Sequence, residues 1–348
     1  MSKYKICLIY PYFGKMPWYF KFFVASCKFN PDIDFIIFTD NRIGEKLPEN
    51  VKVNYTTLQE VEQLASINIG FQVNIPRPYK LCDFKPAYGV IFENTIKGYD
   101  FWGHGDLDVI FGNIRNFITD EILDNHDVIA VREEYVTGFF TLFRNIPLIN
   151  RLYEQSKDFK LVFRNGKNFT FDECNNLFSQ LQAGQSIFEL TSEVESMTHV
   201  VKRLDQQGII RAHFDLFVVE SNPGNLFWNQ GQLSYNDEYE IMLYHLILFK
   251  ELPSHIPASL KEVPSSYYIN ENYFSKLSPG SIPGKIEKLF VKGYLSLKNM
   301  KRPSLPQIEK NIPQKDFDEN EAFEEIEVMI VSNDKKIIRK KKKALTDA

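Results

Sequence analysis

The sequence predicts an α/β fold in which parallel strands alternate with flanking helices. Three observations carry this reading. Ile6–Tyr10 is a short apolar run ended by Pro11, the pattern of a buried strand feeding a loop. Trp18–Phe29 then repeats apolar residues at helical spacing. Asp34–Thr39 (D-F-I-I-F-T) is a continuous apolar run, as in a strand covered on both faces.

The following elements extend the pattern. Val51–Tyr55 reads as a third strand and Leu58–Leu64 as a short helix. Pro86 suits the first turn of a helix, with Asp83 and Lys85 just ahead of it. Tyr99–Trp102 reads as a central strand that stops at Gly103. Asp127–Val131 and Thr137–Arg144 follow as strands, with Gly138 admitting close approach of backbone or ligand. Residues 176–204 read as helical, Arg211–Glu220 as a strand, and Ile241–Phe249 as a strongly apolar strand closing on Lys250.

Beyond Lys250, Pro, Ser and Gly become frequent, which places a domain boundary there: residues 1–250, then a Pro-rich extension over 251–315 with an amphipathic helix at 285–300, then a charged segment over 316–348. That last segment joins an acidic block (Asp316–Glu327) to a basic one (Lys335–Lys343). Two readings stand. A hairpin turning at Asn333-Asp334 would set Glu327 against Lys340, Glu325 against Lys342 and Glu324 against Lys343. A free basic run would instead make peripheral contact with a membrane surface.

At 348 residues there is ample material for a core. The net charge of −4 provides no global basic field for nucleic acid. Four scattered cysteines without a C-x-x-C pair suit a reducing compartment, and no apolar run is long enough for a signal peptide or a membrane span. A cytoplasmic protein is expected, at most peripheral to the inner face of the membrane. There is no P-loop, no H-E-x-x-H and no complete G-x-G-x-x-G.

Chemistry concentrates at Y-D-F-W-G-H-G-D-L-D-V-I-F-G-N, residues 99–113. In extended chain Asp106 and Asp108 point to the same side, and two like charges side by side are costly unless a cation lies between them. A divalent metal holding a diphosphate meets that need; a polar turn between two strands is the other reading of a bare D-x-D. Asp40 also follows a strand-like run, and in parallel sheets ligands bind beyond the carboxyl ends of the strands. His245 reads either as a late-arriving metal ligand or as a core histidine, with Lys250 beyond it to meet a phosphate.

Taken together, I-I-F-T-D (36–40), Y-K-L-C-D-F-K-P (79–86), F-W-G-H-G-D-L-D-V-I-F-G-N-I (101–114), T-G-F-F-T-L-F-R-N (137–145), F-D-E (171–173) and L-Y-H-L (243–246) resemble GT-A-type glycosyltransferases. The likeness is greatest to a bacterial glycosyltransferase-like family of polysaccharide-biosynthesis loci. The resemblance implies the nucleotide-diphospho-sugar transferase fold, a mixed, mostly parallel sheet flanked by helices, here with a C-terminal extension. It implies a nucleotide-sugar donor held by Mn²⁺ or Mg²⁺ and a glycan or lipid-linked glycan acceptor. Carried over by position, Asp108 is the main metal ligand, Asp106 contacts the ribose or the metal, and His245 is the C-terminal ligand. Lys250 steadies the diphosphate, while Asp40 and Asp83 contact the nucleotide with the Tyr12-Phe13-Gly14 loop beside them. Lys85 takes the basic position where many related families carry an arginine a little further on, and His245 lacks the glycine-rich flank seen in some. An inverting enzyme needs a carboxylate base, for which Asp172 and Glu173 are the candidates; a helix N-cap is their alternative role.

Two rival classes remain. D-L-D-V-I resembles the D-x-D-x-V loop of haloacid-dehalogenase-like phosphatases, although that loop normally closes the first strand of its domain and here follows G-H-G after residue 100. A non-catalytic GT-A-like module that binds a glycan or a partner is the third.

Overall fold

The computed structural model describes residues 3–221, 223–250, 262–300, 328–331 and 337–340. Strands β1 (Ile6–Pro11), β2 (Ile33–Thr39), β3 (Val51–Tyr55) and β4 (Phe101–Gly105) pair in parallel in the order β3-β2-β1-β4. The chain leaves this sheet as β5 (Val109–Phe111) and returns as β6 (Val128–Ala130), β7 (Phe140–Arg144) and β8 (Ala212–Phe214). β7 runs antiparallel to both β4 and β6, and β8 runs parallel to β6. The principal sheet is therefore β3-β2-β1-β4-β7-β6-β8, mixed but mostly parallel, with only β7 opposed.

Both faces are covered, which is why these strands read as continuous apolar runs. Leu8, Tyr10, Phe35 and Ile37 pack with Phe20, Phe23 and Val24 of the helix Phe20–Cys27. Cys7, Ile9 and Ile36 pack on the other face with Val61 and Ala65 of the helix Leu58–Ile69. That second helix starts at a capping box, Thr57 with Glu60, and stops at Gly70 in the left-handed region. In β4 a Cβ at Gly103 would lie 2.5 Å from the Thr141 carbonyl oxygen, so the central strand admits only glycine there without displacing β7.

Two further sheets complete the fold. β9 (Val218–Glu220) and β13 (Leu243–His245) form a three-stranded sheet with β5, in the order β5-β13-β9. β10 (Leu226–Asn229), β11 (Gln232–Tyr235) and β12 (Tyr239–Glu240) belong to an antiparallel sheet with β14 (Ser266–Ile269), β15 (Phe274–Ser275), β16 (Val328–Val331) and β17 (Ile337–Lys340).

Several expectations are corrected. Arg211–Glu220 is not one strand but β8 and β9, which enter different sheets. Residues 176–204 are helical only at Phe178–Gln182 and from Met197, because Gly184 (φ +86°) ends the first segment. The 241–249 run is strand only to His245: Leu246 N–H donates to the Asp108 carbonyl, and a turn follows in which Lys250 N–H reaches the Leu246 carbonyl. The break expected near 250 does not divide the packing. β14 hydrogen-bonds to β10, and Tyr267, Ile269 and Phe274 share one apolar cluster with Phe22, Trp228 and Phe249.

In the C-terminal pair, Val328 lies opposite Lys340 and Val331 opposite Ile337. This is one residue away from the register that sets Glu327 against Lys340, and such a slip exchanges the faces of a strand. The Asn333-Asp334 turn, the acidic block, the linker over 301–315 and most of the basic run lie outside the described residues. The C-terminal helix spans Ile282–Met300. Among the described residues no helix is long and apolar enough to cross a membrane.

Candidate metal and ligand site

The parallel register brings the carboxyl ends of β1, β2 and β4 to one edge, and the loops that follow them carry Tyr12, Asp40 and Asp106. β4 stops at Gly105, where a Cβ would lie 2.8 Å from the Phe139 carbonyl oxygen and 2.9 Å from the Tyr10 ring. The chain then turns through Asp106, Leu107 and Asp108 into β5. Asp108 is buried, whereas the Asp106 side chain is partly exposed.

The three-stranded sheet supplies the rest. Antiparallel pairing sets His245 of β13 opposite Val109, the neighbour of Asp108, and parallel pairing sets it opposite Glu220 of β9. His245 Nε2 lies 3.5 Å from Asp108 Oδ2, and Nδ1 lies 3.0 Å from Glu220 Oε1. The other Glu220 oxygen accepts from Arg132. A carboxylate at Nδ1 places a proton on that nitrogen and turns Nε2 toward Asp108. Asp106, Asp108 and His245 each offer a ligand atom, all within 4.8 Å of one another.

This donor set fits a divalent cation: two carboxylate oxygens and one imidazole suit Mn²⁺, with Mg²⁺ served by the oxygens. Positive charge already gathers at these groups. Lys250 Nζ is 2.6 Å from Asp108 Oδ2, and Lys85 Nζ is 2.7 Å from Asp106 Oδ1. Although burial works against ionisation, His245 and Lys250 hold the Asp108 carboxyl below the usual carboxylate range. Burial likewise opposes the His245 imidazolium, yet Asp108 and Glu220 push its pKa up to about 10. A proton there occupies the position of a metal ion, and the two compete.

These groups open onto a cleft of about 430 Å³. Lys85, itself buried, spans its floor: Nζ also donates to the Gly138 carbonyl at 2.9 Å and lies 3.6 Å from Asp172 Oδ2. Asp172 is buried, and its Oδ1 has no partner among the described residues. Burial raises its carboxyl well above the ordinary value, with Lys85 opposing and Glu173 adding. Glu173 Oε1 accepts from Gly138 N–H at 2.8 Å, and burial lifts its pKa to about 7 against that hydrogen bond. A Cβ at Gly138 would lie 2.7 Å from Asp172 Oδ2, so glycine is what lets both carboxyls approach.

The cleft thus unites Tyr12, Phe13, Lys85, Asp106, Asp108, Asp172, Glu173, His245 and Lys250. Three expected donor-contacting residues stand elsewhere. Asp83 is fully buried, its oxygens taken by Lys80 Nζ at 2.8 Å and by Phe169 and Phe171 N–H; it is a scaffold residue and does not touch the cleft. Asp40 accepts from Gly14 N–H at 3.1 Å, which ties the loop after β1 to the end of β2, and neither residue lines the cleft. The Asp172 and Glu173 side chains do not cap a helix: Leu177 stands at the N-cap of Phe178–Gln182 and Ser196 at that of the helix from Met197, where only the Glu173 backbone carbonyl accepts from Thr198 N–H, and the two residues lie in a turn held by Glu173 N–H to the Thr170 carbonyl. Lys250 is not a strand end, since the turn after His245 carries it back onto Asp108.

Sequence reasoning missed Glu220 and Arg132. Glu220 ended an expected strand and Arg132 followed D-V-I-A-V, so each occupied the position that drew notice to Asp40, but nothing local tied either one to His245.

Among curated proteins no relative matches the chain. Among solved structures it is similar to mouse xyloside xylosyltransferase 1 in the apo form (11% identity, 75% of this chain and 99% of that chain, TM-score 0.33). It is also similar to the galactosyltransferase LgtC in complex with donor and acceptor sugar analogs (10% identity, 62% and 76%, TM-score 0.30) and to the glycosyltransferase GlyE of Streptococcus pneumoniae TIGR4 (10% identity, 62% and 45%, TM-score 0.26). A family model matches residues 8–278, and the chain belongs to that family, DUF6625, a family of unknown function.

Proposed function

We propose that this protein is a metal-dependent glycosyltransferase that moves a sugar from a nucleotide-sugar donor to a glycan or lipid-linked glycan acceptor of polysaccharide biosynthesis. The observation that carries the reading is the convergence of Asp106, Asp108 and His245 within 4.8 Å, in a cleft at the carboxyl edge of parallel strands. Bound Mn²⁺ or Mg²⁺ would supply neutralisation of the charge that builds on the departing diphosphate.

The chain's own residues do the remaining work. Asp108 and His245 would hold the ion, and Asp106 would contact it or the donor ribose. Lys250, now paired with Asp108, lies where it can turn to the diphosphate. Lys85 keeps Asp106 aimed into the cleft. Tyr12 offers aromatic surface on the cleft wall, with Phe13 packed into the core beneath the same loop. Of the two carboxyls, Glu173 suits proton removal from the acceptor hydroxyl, because a pKa of about 7 makes it both available and basic at neutral pH. Asp172, whose carboxyl burial pushes well above the ordinary range, suits hydrogen bonding to the transferred sugar.

Calorimetry with a panel of nucleoside diphosphates, with and without Mn²⁺, tests the reading on wild type and on Asp108→Ala. One nucleotide should bind only with Mn²⁺. Asp108→Ala should lower that affinity by more than the roughly 10–100-fold expected for loss of an outer-shell partner. Absence of nucleotide binding by a folded wild-type protein would overturn it, and phosphatase turnover in its place would favour the dehalogenase-like class.

A further inference from the structure

The helix Ile282–Met300 lies against the end of the antiparallel sheet, where Glu287 accepts from Ser275 of β15, and in its first three turns Gly284 and Val291 are buried. Its outer side is apolar. Ile282 is 75% exposed, Ile286 50%, Leu289 70% and Phe290 76%. At about 100° per residue these four fall within a sector of about 100°, opposite Val291. Scattered exposed apolar side chains need no explanation, but four on one helical face form a patch that does.

The charges beside that face are asymmetric. Lys285, Lys288 and Lys292 are all exposed and project from the same flank, whereas the helix's single acid, Glu287, lies on the other flank and accepts from Ser275. Lys298, Lys301 and Arg302 follow in the sequence, so this stretch is basic in a chain of net charge −4. A broad apolar stripe edged with lysines, on a helix not apolar enough to span a bilayer, matches a helix lying in the membrane interface. The lysine stems can follow the apolar face while their ammonium groups meet lipid phosphates. An antiparallel contact with a second copy, about a two-fold axis perpendicular to the helix, would instead bring the two lysine flanks together.

We propose that the helix Ile282–Met300 docks this protein on an anionic membrane surface, with Ile282, Ile286, Leu289 and Phe290 immersed and Lys285, Lys288 and Lys292 on the headgroups. This is a different segment from the basic run at 335–343, and it does not depend on the glycosyltransferase reading. It places the protein where a lipid-linked substrate would be met.

Sedimentation of the full chain with vesicles tests it. The protein should pellet with vesicles containing phosphatidylglycerol and remain in solution with phosphatidylcholine alone. The double variant Leu289→Glu/Phe290→Glu should stay in solution with both. The triple variant Lys285→Gln/Lys288→Gln/Lys292→Gln should bind less tightly by about five-fold per lysine at low salt. Both variants alter exposed positions, so thermal melts matching wild type should accompany the loss; should the double variant melt early, the triple variant still decides. Equal pelleting of wild type and the apolar variant would overturn the proposal. So would a dimer that Leu289→Glu/Phe290→Glu dissociates, in a protein that binds neither vesicle, which would assign the face to a second copy.

Discussion

Glu173 stands between burial, which disfavours its charge, and the Gly138 N–H, which favours it, and the balance lies at a pKa of about 7. In the proposed role of acceptor base it must be ionised. Transferase kcat/KM should therefore rise with pH through about 7, and Glu173→Gln should lower it by about 10²–10⁴-fold and remove that limb. Linkage gives the opposite slope for stability. Between the ordinary carboxyl pKa of about 4.3 and the folded value, the native state binds the extra proton. Wild type should lose stability as pH rises across that window, and Glu173→Gln should lose less; paired melts at pH 5 and 7 measure the difference. At this scale the sequence was partly legible. Asp106 and Asp108 drew notice as an i, i+2 pair after a strand, and the flanking segments rather than the spacing alone favoured a ligand site over a polar turn. Asp83 could not be judged in the same way. Nothing in Y-K-L-C-D-F-K-P reveals that Lys80 and two backbone N–H groups close over its carboxylate.

At the scale of elements, the long buried strands were readable and the short ones were not. β1 and β2 are covered on both faces, so burial is written into every residue. β5, β9 and β13 have three residues each, too few for periodicity to register, and the β5–β13 pairing joins residues more than a hundred positions apart. Yet this small sheet is what delivers His245 to Asp108 and sets Glu220 behind it. Glu220→Gln keeps the shape but removes the charge that holds the Nδ1 proton. It should weaken Mn²⁺ binding by about 10–100-fold. Calorimetry with Mn²⁺ alone measures this; unchanged affinity would mean that the β9 carboxylate has no part in orienting the imidazole.

For the whole molecule, the question is where the folding unit ends. Composition put a boundary near 250, but the family match runs to 278 and the apolar cluster around Trp228 draws Tyr267, Ile269 and Phe274 from beyond it. Each of these buried side chains is worth about 1.5–3 kcal/mol, and together they approach the roughly 5–15 kcal/mol that holds a domain. A chain ended at Lys250 should be insoluble or melt far below the full protein, and one ended at Ser278 should retain a cooperative melt. A 1–250 chain that melted like the full protein would restore the boundary. Sequence alone determined the parallel α/β core and the D-x-D at its carboxyl edge, because burial on both faces and side-chain alternation are local properties of a strand. Tertiary structure alone decided that His245 is joined to Asp108 and Glu220, that Asp83 is scaffold, and that β14 and β15 belong with what precedes them. Those outcomes depend on pairings between distant segments, whose partners no stretch of sequence specifies by itself.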